Sequence, residues 1–134
     1  LEPFKTSDES NSIRWLRFMF VYARGDLLHL GRAMPREWLR GGNEVFLKRV
    51  HVPGGIVSVT YRSDAGADRI TCAADLQLHE APDRILVRFR HPAKKRMRAV
   101  TVNGISHAAF EPAKGDVDVT GLSGPVVVEA FFGD

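Results

Sequence analysis

Apolar and polar residues alternate with a period of two through most of the chain after Gly25, a pattern typical of half-buried β-strands. The segments with this pattern are EVFLKRVHV, GIVSVTYRS, RITCAADLQL, RILVRFR, MRAVTV, ISHAAF, DVDVT and PVVVEAFF. Turn-forming residues separate them, as at Pro53-Gly54-Gly55 and Gly121-Leu122-Ser123-Gly124. No helical pattern interrupts them, as crossovers in a parallel sheet would. The alternation therefore predicts an all-β fold, an antiparallel β-sandwich.

The hairpin at Asn103-Gly104 has the most specific local signal. Asn-Gly supplies the two positive-φ residues of a type I′ turn, whose twist suits paired strands. The turn predicts that Val102 pairs with Ile105 and Val100 with His107. His107 should then be a strand residue near the surface of the sandwich.

The N-terminal part of the chain has a helical pattern instead. The segment IRWLRFMFVYAR, residues 13–24, follows the N-cap candidates Ser10 and Ser12 and ends at Gly25. Its apolar residues cover nearly the whole circumference, which is typical of a helix that is buried on more than one side. We therefore expect a helical segment or linker over residues 1–25, followed by the sandwich over residues 26–134.

A length of 134 residues suits one sandwich domain, and 44% hydrophobic with 26% charged residues is ordinary for a globular chain. The first residues show neither a signal-peptide pattern nor an initiator Met, which suits a processed chain or an excised fragment. The run FMFVYA is too short to span a membrane, so no membrane partner is expected. The composition leaves the compartment open.

Cys72 is the single cysteine, which excludes an internal disulfide and a multi-cysteine zinc site. Its place in an alternating strand predicts an inward, buried thiol rather than a nucleophile. The histidines lie at positions 29, 51, 79, 91 and 107, without metal-type spacing. No nucleophile elbow, P-loop or dinucleotide fingerprint is present, so we predict no catalytic, cofactor or metal site in this chain. His29, inside an apolar run, should be a packed and hydrogen-bonded residue.

Two charged groups are candidates for function. Asp116 and Asp118 share a strand face and are predicted to be a solvated rim rather than a carboxylate pair. The second group is a basic stretch of Arg84, Arg88, Arg90, Lys94, Lys95, Arg96 and Arg98. Clustered cations on one face suit nucleic-acid binding, but aromatic residues are not interleaved with them, because Phe89 should point to the core. A solvated turn is the favoured interpretation, with nucleic-acid binding as the weaker alternative.

The order of the segments DLLHLGRAMPREWLRGG, GGIVSVTYRS, RILVRFRHP and VTVNG resembles the C-terminal region of bacterial glycoside-hydrolase-like proteins. In those proteins a catalytic barrel of six helical hairpins precedes a small β-sandwich. Pro35 and Trp38 also resemble the L-P-x-x-W segment of barrel-type α-L-fucosidases. Gly31 and Arg32 stand where that pattern has leucine and proline.

The resemblance implies that this chain is a non-catalytic accessory domain, and that its partner is a catalytic barrel of the same polypeptide. The parent would then be a glycoside hydrolase, periplasmic or secreted, whose catalytic carboxylates lie in the barrel. The expected contacts with the barrel are made by Trp15, Phe20, His29, Pro35 and Trp38.

A carbohydrate-binding module is the alternative function. Sandwiches can hold sugars on exposed aromatic rings, and Trp38 and Tyr61 are the candidates here. Tyr61 shares a strand face with Val57 and Val59, which favours core packing for that ring. A free-standing nucleic-acid-binding domain comes third.

Overall fold

The computed structural model describes residues 21–24, 26–32, 39, 44–64 and 68–133. Almost all of these residues lie in strands or in the turns between them. The strands are β1 Val21–Arg24, β2 Leu27–Leu30, β3 Glu44–Val52, β4 Gly55–Asp64, β5 Arg69–Leu78, β6 Arg84–Arg88, β7 Arg96–Val102, β8 Ile105–Ser106, β9 Phe110–Glu111, β10 Asp116–Asp118 and β11 Gly124–Gly133.

The strands form two sheets. The first sheet has the order β1-β2-β6-β10-β9, and the second has the order β3-β4-β5-β11-β7-β8. Every pairing is antiparallel except that of β2 with β6, which is parallel. The all-β, antiparallel fold predicted from the alternation is thus confirmed, with one parallel pair that the turn pattern did not indicate.

The core lies between the two sheets, where apolar side chains of both are buried. Alternation explains its composition: Val57, Val59 and Tyr61 of β4 are fully buried, as are Cys72 of β5 and Ala130 of β11. From the first sheet come buried residues such as Leu28, Leu30, Ile85, Val87 and Val117. Cys72 is inward and buried, as predicted, and burial raises the pKa of its thiol to about 12.

The Asn103-Gly104 hairpin has the predicted geometry. Both turn residues have positive φ, 51° and 83°, and Val102 pairs with Ile105. The His107 N–H donates to the carbonyl of Val100 at 2.9 Å, which matches the predicted register. The prediction that His107 is a strand residue is wrong, because the predicted strand ISHAAF is divided into β8 and β9 and His107 lies between them.

The predicted helix over residues 13–24 is wrong at its end. Val21–Arg24 form strand β1, which pairs with β2 so that Val21 lies opposite Leu30 and Arg24 opposite Leu27. The physical reason is that β2 offers a strand edge within a few residues, and pairing with it overrides the local helical preference. The first sheet therefore includes residues before the expected boundary at 25/26. Residues 1–20 lie outside the described residues.

Candidate functional site

The junction segment, residues 27–32, consists of β2 and the turn that follows it. In β2 successive side chains point to opposite sides, yet Leu28, His29 and Leu30 are all buried. Strand β2 has β1 on one side and β6 on the other, so its backbone is also paired on both sides. Three consecutive residues of this segment are therefore enclosed within the described domain, and one of them is His29, an expected contact with the barrel.

His29 belongs to a buried ion cluster, which we define as His29, Arg88 and Asp116. The Nε2 of His29 lies 3.0 Å from Oδ1 of Asp116, and His29 is only 4% exposed. The Arg88 guanidinium donates to the same carboxylate through Nε at 2.9 Å and Nη2 at 3.1 Å. Because a carboxylate only accepts hydrogen bonds, Nε2 of His29 carries a proton and donates it. Both oxygens of Asp116 thus have partners.

The ion cluster joins three strands of the first sheet. Asp116 lies directly opposite Arg88 in the β10–β6 pair, and β6 is the parallel neighbour of β2. A bidentate arginine–carboxylate pair of this kind fixes orientation as well as distance. The cluster therefore sets the lateral position of β2 relative to β6 and β10.

The pKa of Asp116 shows which chemistry the cluster can support. Burial acts to raise that pKa, but the hydrogen bonds from His29 and Arg88 outweigh it and hold the pKa at about 2, below the usual 3.8. A general acid needs a raised pKa, and a general base works best with a pKa near the operating pH. A carboxylate that stays ionised and saturated with donors suits a structural role instead.

Tyr61 anchors the junction segment from the second sheet. Its hydroxyl donates to the carbonyls of Leu30 at 3.2 Å and of Arg88 at 2.8 Å. The ring packs edge-on against Phe89, with centroids 5.7 Å apart. Burial raises the pKa of Tyr61 well above its usual range, so the hydroxyl keeps its proton and remains a donor.

Gly31 is required where the junction segment passes Tyr61. Its φ is +70°, and a Cβ at this position would lie 2.2 Å from the Tyr61 hydroxyl oxygen and 2.9 Å from the Arg88 carbonyl oxygen. Only glycine meets both conditions without strain. Gly31 therefore permits the close approach of the two sheets at this position.

Arg32 ends the junction segment with further contacts. Its guanidinium lies over the Tyr22 ring, 3.9 Å from the centroid, which is a cation–π geometry. Its carbonyl oxygen accepts from Arg88 Nη1 at 3.4 Å and from Arg90 Nη2 at 3.5 Å. Two arginines of the basic stretch are thus directed at the junction segment.

The predicted site residues fall into three groups. His29 is packed and hydrogen-bonded, as predicted, and its expected contact with the barrel stays a prediction. Tyr61 is fully buried, so its ring presents no face to a sugar in solvent, and the predicted preference for core packing is confirmed. The others, Trp15, Phe20, Pro35 and Trp38, lie outside the described residues, and their role at a domain interface stays a prediction.

Sequence reasoning missed the other members of the ion cluster. The prediction that Asp116 is a solvated rim residue is wrong, because it is 9% exposed and holds both His29 and Arg88. Arg88 was assigned to a basic face, yet it is neutralised by Asp116. Asp116 and Arg88 lie opposite each other in the β6–β10 pair. The sequence alone does not indicate that these two strands pair, so it could not reveal the contact.

Other kinds of site were sought in the described part of the chain. It contains no group of three or more histidine, cysteine, aspartate or glutamate residues arranged to hold a metal ion. It also contains no helix of the length and apolarity that a membrane crossing needs.

Comparison with known proteins supports the fold. No family model matches the chain, and no curated protein is similar to it. A solved structure named glycoside hydrolase is similar, with a TM-score of 0.52 and 16% sequence identity. The similarity covers 92% of this chain but only 19% of that chain. At this identity the likeness shows the fold alone: the chain has the fold of one part of that glycoside hydrolase.

Proposed function

We propose that this chain is a non-catalytic accessory β-sandwich domain of a larger glycoside hydrolase, and that it packs against the catalytic barrel of the same polypeptide. The observation that carries the proposal is the asymmetry of coverage, 92% of this chain against 19% of the glycoside hydrolase. A domain that matches a small part of an enzyme has the size expected of an accessory unit. The catalytic groups would then lie in the remainder of the parent protein.

The contacts of the junction segment support such a role. It is held by a bidentate arginine, a buried histidine and a tyrosine hydroxyl from the opposite sheet. A segment held at so many points has few alternative backbone and side-chain conformations, so it moves little relative to the rest of the domain. This supports a brace beside the catalytic barrel, with Trp38 a few residues downstream as the proposed contact.

The size of the native protein tests the proposal. Antibodies raised against this domain would be used to blot a lysate and the culture medium of the source organism. We expect a band several-fold heavier than 14.9 kDa, the mass of this chain. A band at 14.9 kDa would contradict the proposal, because the domain would then act without a barrel.

Substitution of Trp38 separates a brace from a carbohydrate-binding module. In the parent protein, Trp38→Ala should lower the melting temperature and leave retention on insoluble polysaccharides unchanged. Phe46→Ala is the matched control, since Phe46 is an exposed aromatic residue of β3. Loss of retention in Trp38→Ala with an unchanged melting temperature would favour the carbohydrate-binding module.

A further inference from the structure

A second charged feature, the basic cleft, lies between the loop that follows β6 and the turn between β9 and β10. Its cavity volume is about 250 Å³. The cleft is open to solvent on one side and is large enough for a small charged group. The walls carry Lys94, Lys95, Arg96 and Lys114, and the floor is formed by Phe89 and Phe132.

The side chains that line the basic cleft carry a net positive charge. Among the described residues that line it, none is acidic. Asp68 contacts it from the side, where it accepts from Lys95 Nζ at 2.7 Å and lies 3.2 Å from His91 Nε2. Four cationic side chains thus line the cleft, and the one carboxylate beside it pairs with Lys95. Exposed like charges around one small cavity repel one another, and an anion that enters it reduces the repulsion.

The loop wall of the cleft is held in place by hydrogen bonds. His91 Nδ1 accepts from the Ala93 N–H at 2.9 Å, so the ring proton lies on Nε2 and is donated to Asp68. The Lys94 N–H donates to the His91 carbonyl at 2.9 Å, and Lys94 has a φ of 58°. A left-handed lysine is strained, and such strain is concentrated at binding sites.

The opposite wall is fixed as firmly. Gly115 has a φ of +77°, and a Cβ there would lie 2.3 Å from the Phe89 carbonyl oxygen. The Phe89 N–H donates to the Gly115 carbonyl at 2.8 Å. Lys114 therefore precedes a residue, Gly115, whose backbone is hydrogen-bonded to Phe89 on the floor of the cleft. Backbone hydrogen bonds thus hold both walls, and such preorganisation favours ligand binding.

We propose that the basic cleft binds the carboxylate or sulfate group of an acidic saccharide. This inference rests on the proposed function, since the saccharide class comes from the association with a glycoside hydrolase. Charge complementarity supplies the recognition: Lys94, Arg96 and Lys114 approach one small volume from two separate segments. An uncharged sugar gains nothing from this arrangement.

The same features argue against a nucleic acid as the occupant. Single-strand binders present aromatic rings for base stacking along a charged groove. In the basic cleft Phe89 and Phe132 are buried, at 3% and 5% exposure, and serve as the floor. The cations converge on one volume rather than following a strand, which suits one charged group.

The test is a binding measurement with the full chain. Hexagalacturonate supplies carboxylates, a heparin hexasaccharide supplies sulfates, and cellohexaose is the neutral control. We expect binding of at least one acidic hexasaccharide that weakens with added salt, and no binding of cellohexaose. Backbone amide signals of Lys94, Lys114 and Gly115 should shift during the titration, which localises the ligand.

Removal of one charge gives the matched comparison. Lys114→Gln should weaken binding about tenfold, because a charge-assisted hydrogen bond is lost, while thermal unfolding stays unchanged. Lys48→Gln removes the same charge from β3 and should leave affinity within about twofold of the unmodified chain. Strands β4 and β5 lie between β3 and β11 in the second sheet, so this charge is away from the cleft. Equal weakening by both substitutions would overturn the proposal, since it would indicate diffuse attraction to a cationic protein.

Two further results would also overturn it. The first is the absence of binding by either acidic hexasaccharide. The second is tighter binding of oligothymidylate or inorganic phosphate than of the saccharides, which would assign the cleft to another source of oxyanion. None of these results alters the mass of the native protein, so failure of this inference and failure of the proposed function remain distinguishable.

Discussion

The buried ion cluster and the basic cleft are made of similar side chains and differ in how their charges are matched. In the ion cluster one carboxylate receives hydrogen bonds from both cation-forming residues, and all three side chains are largely enclosed. In the basic cleft four cationic side chains line an open cavity, and the one carboxylate beside it pairs with Lys95. Unmatched charge is tolerated only where water can reach it. The enclosed group is therefore structural, and the open one has charge available for a ligand.

Removal of the carboxylate from each group tests this comparison. The substitution in the ion cluster should have the largest effect on the free energy of unfolding. Asp116→Ala leaves Arg88 and His29 enclosed without their acceptor, and should lower the free energy of unfolding by about 4 kcal/mol. Asp68→Ala, in the exposed group, should cost only a small fraction of that amount. Denaturation in urea would measure both. Equal losses in the two variants would contradict the distinction between a structural and an open cluster.

Gly31→Ala should have the second largest effect, because it disturbs the anchoring of the junction segment by Tyr61. The left-handed backbone and the collision with the Tyr61 hydroxyl together should cost about 3 kcal/mol. Gly121→Ala is the matched control: its φ is +91°, but nothing lies within 4 Å of the added Cβ. That variant should lose about 1 kcal/mol, from backbone strain alone. Identical melting temperatures for the two variants would show that the Tyr61 contact contributes nothing.

The pH dependence of stability provides a smaller, separate test of the ion cluster. The pKa of Asp116 is lowered from 3.8 to about 2 in the folded chain. Its stabilisation is therefore complete above the unfolded pKa of 3.8 and is lost as pH falls from there towards 2. The loss should amount to about 2 kcal/mol. In Asp116→Asn this part of the decline should disappear, and an unchanged acid profile would contradict the assigned pKa.

The sequence predicted most of the second sheet. Its strands are long, alternate cleanly and are joined by turns such as Asn103-Gly104, whose chemistry specifies both geometry and register. In β3, β4 and β5 each strand pairs with the next one along the chain. Local signals are sufficient where the partner strand is also the neighbour in sequence.

The first sheet was predicted less well because its pairings are distant in sequence. Nothing local indicates that β2 joins β6, or that Asp116 meets Arg88. The apolar segment before Gly25 has a helical periodicity, yet residues 21–24 pair with β2 as a strand. In each case a tertiary partner overrides a local preference. The basic cleft was missed for the same reason, since Lys114 reaches the other cations only through the fold.

The parallel pairing of β2 with β6 has a consequence for the order in which the chain folds. The meander of β3, β4 and β5 closes only short loops and should form early. The β1–β2 hairpin is synthesised before that meander. The hydrogen-bond acceptor of His29 is Asp116, which lies 87 residues further along the chain. Until β6 has been made, the β2 edge of the hairpin is unpaired and its leucines are uncovered. The ion cluster can form only after Asp116, and the second sheet is complete only after β11, which pairs with both β5 and β7.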